Sequence, residues 1–150
     1  MKPSRILLIL DDPVTTQLIK FPLERDAHTL FIVSSPKQAL RLLKKEGLPH
    51  FVISAIHFAT KMDGFRFCQK LHKFCAVPVL FLVDEADTAD HTLISRIEKY
   101  AQGCLIRPDK TVLSPNQIVT AVQTLEADHG RFPHPLQPLI PIDNHLTIHF

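Results

Sequence analysis

Tryptophan is absent, tyrosine occurs once, and glycine occurs only at positions 47, 64, 103 and 130. So few and scattered glycines leave no glycine-rich loop of the kind whose backbone amides cradle phosphates, which argues against a nucleotide-binding chain. Cysteine is sparse and odd in number (Cys68, Cys75 and Cys104). That excludes a disulfide framework and fits a reducing, cytoplasmic setting. Long apolar runs are also missing. The N-terminal run Ile6–Leu10 stops at Asp11 and Asp12, too short for a signal-peptide core, and nothing approaches the ~20 apolar residues of a membrane span. Neither sign of charge dominates: 17 Lys and Arg face 15 Asp and Glu, for a net +2. That excess does not call for a nucleic acid or a membrane as partner. A chain of 150 residues suits one domain with a core of its own.

What the sequence does have is alternation. Ile6–Leu10, Phe51–Ile53 and Val77–Val83 are apolar runs, the last interrupted by Pro78, and they fit strands buried on both faces. Between them lie segments of helical period with start signals. Asp12-Pro13, Ser35-Pro36 and Ser114-Pro115 each read as a cap followed by the first helical residue, and Gly47 reads as a stop. Asp63-Gly64 opens a further helix expected to run to about Phe74, and Leu93, Ile97 and Tyr100 mark another that ends near Gly103. Strands are expected at 5–10, 28–33, 50–56, 78–83 and 104–107, giving an α/β fold: a doubly wound five-stranded parallel sheet flanked by five helices over residues 1–127. Pro22 falls inside the first helix and predicts a kink or an early end. In such sheets the working crevice lies beyond the carboxyl ends of the strands, which draws attention to Asp11, Asp12, Ala55, Val83, Asp84 and Arg107.

Residues 128–150 read differently. Pro133, Pro135, Pro138 and Pro141 crowd together, as in a linker or extended tail. Leu146, Ile148 and Phe150 alternate with Thr147 and His149, so a short strand could add to a sheet edge or to a partner, although a frayed terminus is the plainer reading.

Arg5–Pro13 (RILLILDDP), Met62–Cys68 (MDGFRFC), Val77–Leu82 (VPVLFL) and Leu105–Pro108 (LIRP), in that order, resemble the response-regulator receiver domain of two-component signalling. The resemblance covers residues 5 to about 126 and implies the flavodoxin-like fold reached independently above. It also implies phosphoryl transfer from a histidine kinase to an aspartate. That chemistry needs a carboxylate nucleophile, a magnesium ion held by carboxylates, and a lysine and a hydroxyl to hold the phosphoryl oxygens.

Laid on this sequence, the resemblance puts the acceptor at Ala55, whose methyl cannot attack phosphorus. No aspartate lies anywhere between Phe51 and Ala59. The acidic pair falls on Leu10 and Asp11, with Asp12 one step beyond, leaving Asp11 and Asp12 as vestigial metal candidates. The hydroxyl falls on Val83 and the lysine on Arg107, a larger planar cation. The aromatic that reports phosphorylation falls on Cys104. Leu10, Asp11, Asp12, Ala55, Val83 and Arg107 thus form a degenerate phosphoacceptor pocket, with no catalytic residue and no cofactor. Arg107 is expected to reach Asp11 or Asp12 within hydrogen-bond distance and to occupy the place of the metal.

Other candidates have plainer readings. Ser54 is a buried hydroxyl with no base beside it, and Asp63 sits where a helix cap belongs. Cys68, His72 and Cys75 share one helical face and could offer zinc ligands, but free cysteines on an inner face behave as small apolar residues. His134, His145 and His149 are widely spread, and Arg41, Lys44 and Lys45 make a solvated helix face. The expected function is phosphorylation-independent protein contact in two-component signalling, by a module that is not an enzyme. The resemblance implies a partner or a homodimer engaging about residues 90–125, and leaves open a further domain after residue 150. Neither a nucleic acid nor a membrane is expected. A phosphotransfer receiver with a non-standard acceptor or residual metal site, and a small-molecule-binding protein, are the alternatives.

Overall fold

The computed structural model describes residues 4–59, 62–73, 75–107, 115–128, 140–142 and 147–149. Five strands run parallel: β1 (Arg5–Ile9), β2 (Thr29–Val33), β3 (Phe51–Ser54), β4 (Val79–Asp84) and β5 (Gly103–Arg107). They alternate with α1 (Pro13–Arg25), α2 (Pro36–Glu46), α3 (Gly64–Leu71), α4 (His91–Tyr100) and α5 (Pro115–Asp128). A 3₁₀ turn, Glu85–Ala89, leads from β4 into α4. The strand order is 2-1-3-4-5, the doubly wound arrangement expected from the alternation.

The sheet is nevertheless wider than five strands. β6 (Ile140–Ile142) pairs antiparallel with β7 (Thr147–His149), and β7 pairs antiparallel with β5, placing Cys104 opposite Ile148. Pro141 thus occupies the outermost strand, where a missing N–H can face away from the ladder. The Ser114 cap, Phe74, Leu146, Phe150, His134, His145 and the prolines at 133, 135 and 138 lie outside the described residues.

Period-two alternation divides the strands between two cores. Leu7, Ile9, Val52, Val79, Phe81 and Ile106 face α2, α3 and α4, where they meet Ala39, Phe65, Cys68 and Ile97. Ile6, Leu8, Phe51, Ile53, Leu80 and Leu105 face α1 and α5, where they meet Ile19, Leu23, Ile118 and Val122.

The helix starts follow the capping signals. Asp12, Ser35 and Asp63 accept backbone N–H bonds from Val14, Gln38 and Arg66, at 3.2, 3.3 and 2.9 Å. Asp90 caps α4 in the same way through Leu93 N–H at 3.1 Å, a cap not expected from the sequence. Two helix ends differ from expectation. α1 runs past Pro22 to Arg25, so it does not end early. An interior proline costs about 3 kcal/mol. Burying the whole Leu23 side chain returns about 1.5–3 kcal/mol, and Pro22 is itself buried, so the last turn survives. α3 instead stops at Leu71, where His72 N–H bonds to Cys68 O and Lys73 N–H closes a tighter turn on Lys70 O. Cys75 therefore lies beyond the helix, and Cys68, His72 and Cys75 do not share a helical face.

Candidate functional site

β1, β3, β4 and β5 deliver their carboxyl ends to one crevice of about 230 Å³. Leu10, Asp11, Asp12, Ala55, Val83 and Arg107 all line it, so the six positions singled out by sequence are brought together. Leu10 and Val83 are buried, Ala55 is half-buried, and Asp11 and Asp12 are exposed. Ala55 follows the last residue of β3, and its N–H bonds to Ile9 O at 3.0 Å, which fixes it beside the end of β1. On the other side, Gly64 N–H bonds to Ile56 O at 2.8 Å, tying the start of α3 to the loop after β3.

The charged side chains form one linked set. Arg107 donates from Nε to Asp84 Oδ1 at 2.7 Å, and its Nη2 lies 2.6 Å from the same oxygen. Its Nη1 donates to Thr15 Oγ1 at 3.0 Å, and the Thr15 hydroxyl donates in turn to Asp12 Oδ2 at 2.5 Å. Nη1 itself stands 3.6 Å from Asp12 Oδ2, an ion pair without a direct hydrogen bond. The expected direct hydrogen bond from Arg107 to Asp11 or Asp12 is therefore corrected. The guanidinium takes Asp84 as its first partner and reaches Asp12 through Thr15. The reason lies in the register: Asp84 and Arg107 are paired positions on adjacent parallel strands, so their side chains leave the same face side by side. Opposite charges at two successive strand ends were the sequence signal for this pair, and Thr15, one helical turn beyond the Asp12 cap, was the missed bridge.

These bonds hold the Asp12 carboxyl below its ordinary range. The Thr15 hydroxyl is the main cause, helped by the backbone N–H groups of Val14 and Thr15 and by the Arg107 charge, while partial burial opposes them.

The receiver resemblance implies a magnesium ion here, and the donor set does not fit one. A magnesium ion needs several oxygens in near-octahedral array. Asp12 already serves the α1 N-terminus and Thr15, Asp84 serves Arg107, and the buried Leu10 and half-buried Ala55 supply no oxygen from their side chains, so of the lining carboxylates only Asp11 and Asp87 remain uncommitted to these bonds. The guanidinium itself occupies the space between the carboxylates and would repel a second cation. Among the described residues no group of three or more His, Cys, Asp or Glu side chains is arranged to hold a metal.

The remaining candidates are accounted for locally. Ser54 is fully buried, and its hydroxyl donates to Ala55 O at 2.7 Å. Asp63 caps α3. Burial, with the Asp63 charge, pushes the Cys68 thiol up to about 12, so it stays protonated and unreactive. His72 Nε2 lies 3.2 Å from Val77 O; a carbonyl can only accept, so this nitrogen carries the proton. Among the described residues no helix is long and apolar enough to cross a membrane.

No protein-family model matches the chain. It is 24% identical over 125 residues to the "Probable transcriptional regulator ycf27" of Porphyridium aerugineum, covering 83% of this chain and 49% of that one. The chain thus spans about half the length of the curated relatives it matches over most of its own length. Among solved structures it superposes on the chemotaxis response regulator CheY4 of Vibrio cholerae with a TM-score of 0.66 at 19% identity, covering 83% of this chain and 99% of that one. It superposes on NtrX of Brucella abortus with a TM-score of 0.74 at 14% identity, covering 87% of this chain but only 28% of that longer one. The fold is that of response-regulator receiver domains.

Proposed function

We propose that the chain is a pseudo-receiver of two-component signalling, a cytoplasmic module that acts by protein contact without being phosphorylated and without catalysis of its own. The observation that carries this reading is the methyl of Ala55 at the end of β3, in the crevice where phosphoryl transfer needs an ionised oxygen. The Asp84–Arg107–Thr15–Asp12 set supports it from the other side. Such a set ties the guanidinium of the crevice to two of its four carboxylates, leaving no free cation for an incoming phosphoryl group and, among the described residues, no cluster arranged for a metal. Such a module holds one state unless a partner prefers another. Its contact surface is proposed to include α4, β5 and α5, about residues 90–125, and a further domain after residue 150 fits the greater length of its relatives.

A phosphotransfer reading needs another nucleophile. The hydroxyl next in sequence to the acceptor position, on Ser54, is buried and already donates its proton to a carbonyl, with no base beside it, and the Thr15 hydroxyl donates to Asp12. A small-molecule site is also poorly supported, since ~300 Å³ is the lower end for ligand pockets and this crevice is smaller. The test is incubation with acetyl phosphate and magnesium followed by intact-mass measurement. An unchanged mass is expected, and the gain of one phosphoryl group would overturn the proposal.

A further inference from the structure

We propose that the cleft between α3 and α4 docks a short acidic segment of a partner protein. The inference takes from the preceding reading only the kind of ligand, a polypeptide. The cleft, about 630 Å³, is lined by Arg66, Gln69 and Lys70 of α3, Lys73 just beyond it, and Lys99 and Tyr100 at the end of α4. Gln69 Nε2 donates to Tyr100 Oη at 2.8 Å, which ties the two helices together across the floor.

Four cations thus converge from two elements, and no carboxylate lines the cleft. Among the described residues none of the four has a carboxylate within ion-pair distance. Lys20, Arg25 and Arg107 do have one, at 3.6, 3.9 and 2.6 Å, while Arg5, Lys37, Arg41, Lys44, Lys45 and Arg96 do not, so what sets the four apart is their convergence on one concave surface. Local helix electrostatics explains only part of the cluster. Lys70 and Lys99 stand in last turns, where a positive charge meets the helix dipole favourably. Arg66 stands in the first turn of α3, the unfavourable end, and Lys73 lies past the helix. A concave surface with four unneutralised cations, on a chain of net charge only +2, attracts a compact anion.

The size of the patch separates a peptide from a polynucleotide. Glu85, Asp87 and Asp90 lie at the opposite end of α4, about 15 Å away for a ten-residue helix. A polynucleotide continuing along α4 beyond the cleft would leave the cations and reach that acidic turn. A segment with a few Asp or Glu residues fits within the cleft.

Fluorescence anisotropy with a labelled oligoglutamate peptide and the full chain tests this. Saturable binding that weakens as salt rises is expected, reduced about tenfold or more by Lys70→Glu with Lys73→Glu, and by a smaller factor in the uncharged Lys70→Gln with Lys73→Gln pair. Lys44→Glu with Lys45→Glu on α2 should leave it unchanged. Absence of binding at low salt, equal loss from the α2 variant, or tighter binding of single-stranded DNA of matched charge would each overturn the proposal. Salt-sensitive self-association without added peptide would make the occupant a second copy, through its Glu85–Asp90 turn, and would also overturn it. Neither readout depends on phosphorylation, so failure here is distinct from failure of the pseudo-receiver reading.

Discussion

Asp84 and Arg107 face each other as paired positions on β4 and β5, with Arg107 Nη2 2.6 Å from Asp84 Oδ1. The pair is partly exposed, with 47% and 37% of the two side chains open to solvent, so screening limits its worth. A double-mutant cycle with Asp84→Ala and Arg107→Ala, read by urea denaturation, should give a coupling of about 0.2–1 kcal/mol. A coupling indistinguishable from zero would mean that the pair does not hold the crevice in its present form.

Restoring the nucleophile alone should not restore chemistry. Ala55→Asp supplies a carboxylate, yet Leu10 and Val83 still bring no oxygen, and Arg107 remains bound to Asp84. Intact mass after acetyl phosphate and magnesium is expected to stay unchanged in Ala55→Asp. It should rise by one phosphoryl group when Leu10→Asp, Val83→Thr and Arg107→Lys are added. Phosphoryl uptake by Ala55→Asp alone would show that the other three positions do not limit the reaction.

Two substitutions should move stability against the usual rule. Glycine to alanine normally favours a helix by about 1 kcal/mol. At Gly64, however, an added Cβ would stand 2.6 Å from Ala55 O and 2.8 Å from the Phe81 ring, so Gly64→Ala should destabilise by about 1–3 kcal/mol. Ala27 presents the opposite case. It closes α1 at φ 67°, with its N–H on Glu24 O and the following His28 N–H on Leu23 O, a left-handed helix end that glycine fills without strain. Ala27→Gly should stabilise by roughly 0.5–1 kcal/mol, once the greater freedom of glycine in the unfolded chain is counted. Thermal or urea unfolding of both variants checks the two signs.

Asp12 makes the N-terminus of α1 sensitive to acid. Its carboxyl is lowered in the folded chain, chiefly by the Thr15 hydroxyl, so its contribution is fully present above the ordinary carboxylate value of 3.8 and is lost as pH falls through the lowered value. Thr15→Val removes the main cause. The variant should lose less stability than the parent as pH drops below 3.8, which paired urea titrations across that range would reveal.

The fold was legible because its signals are local. Apolar runs, Asp12-Pro13 and Ser35-Pro36 placed β1, α1 and α2 without reference to distant contacts. The six crevice positions converged for a topological reason, since strands of a parallel sheet end on one side. What escaped the sequence depended on neighbours in space. α1 continues through Pro22 because Leu23 is anchored in the core against α5 and the sheet. Arg107 prefers Asp84 over Asp12 because strand register sets them side by side. The alternation in the tail marked a possible short strand, but that it pairs antiparallel with β5 is set by contacts distant in sequence.

The empty acceptor position is probed most directly by amide NMR during titration with magnesium and beryllofluoride, a phosphoryl mimic that attaches to an acceptor carboxylate. The amides of Ala55, Val83, Asp84 and Arg107 are expected to keep their positions at all concentrations. Saturable shifts at these four, dependent on magnesium, would contradict a crevice without acceptor or metal.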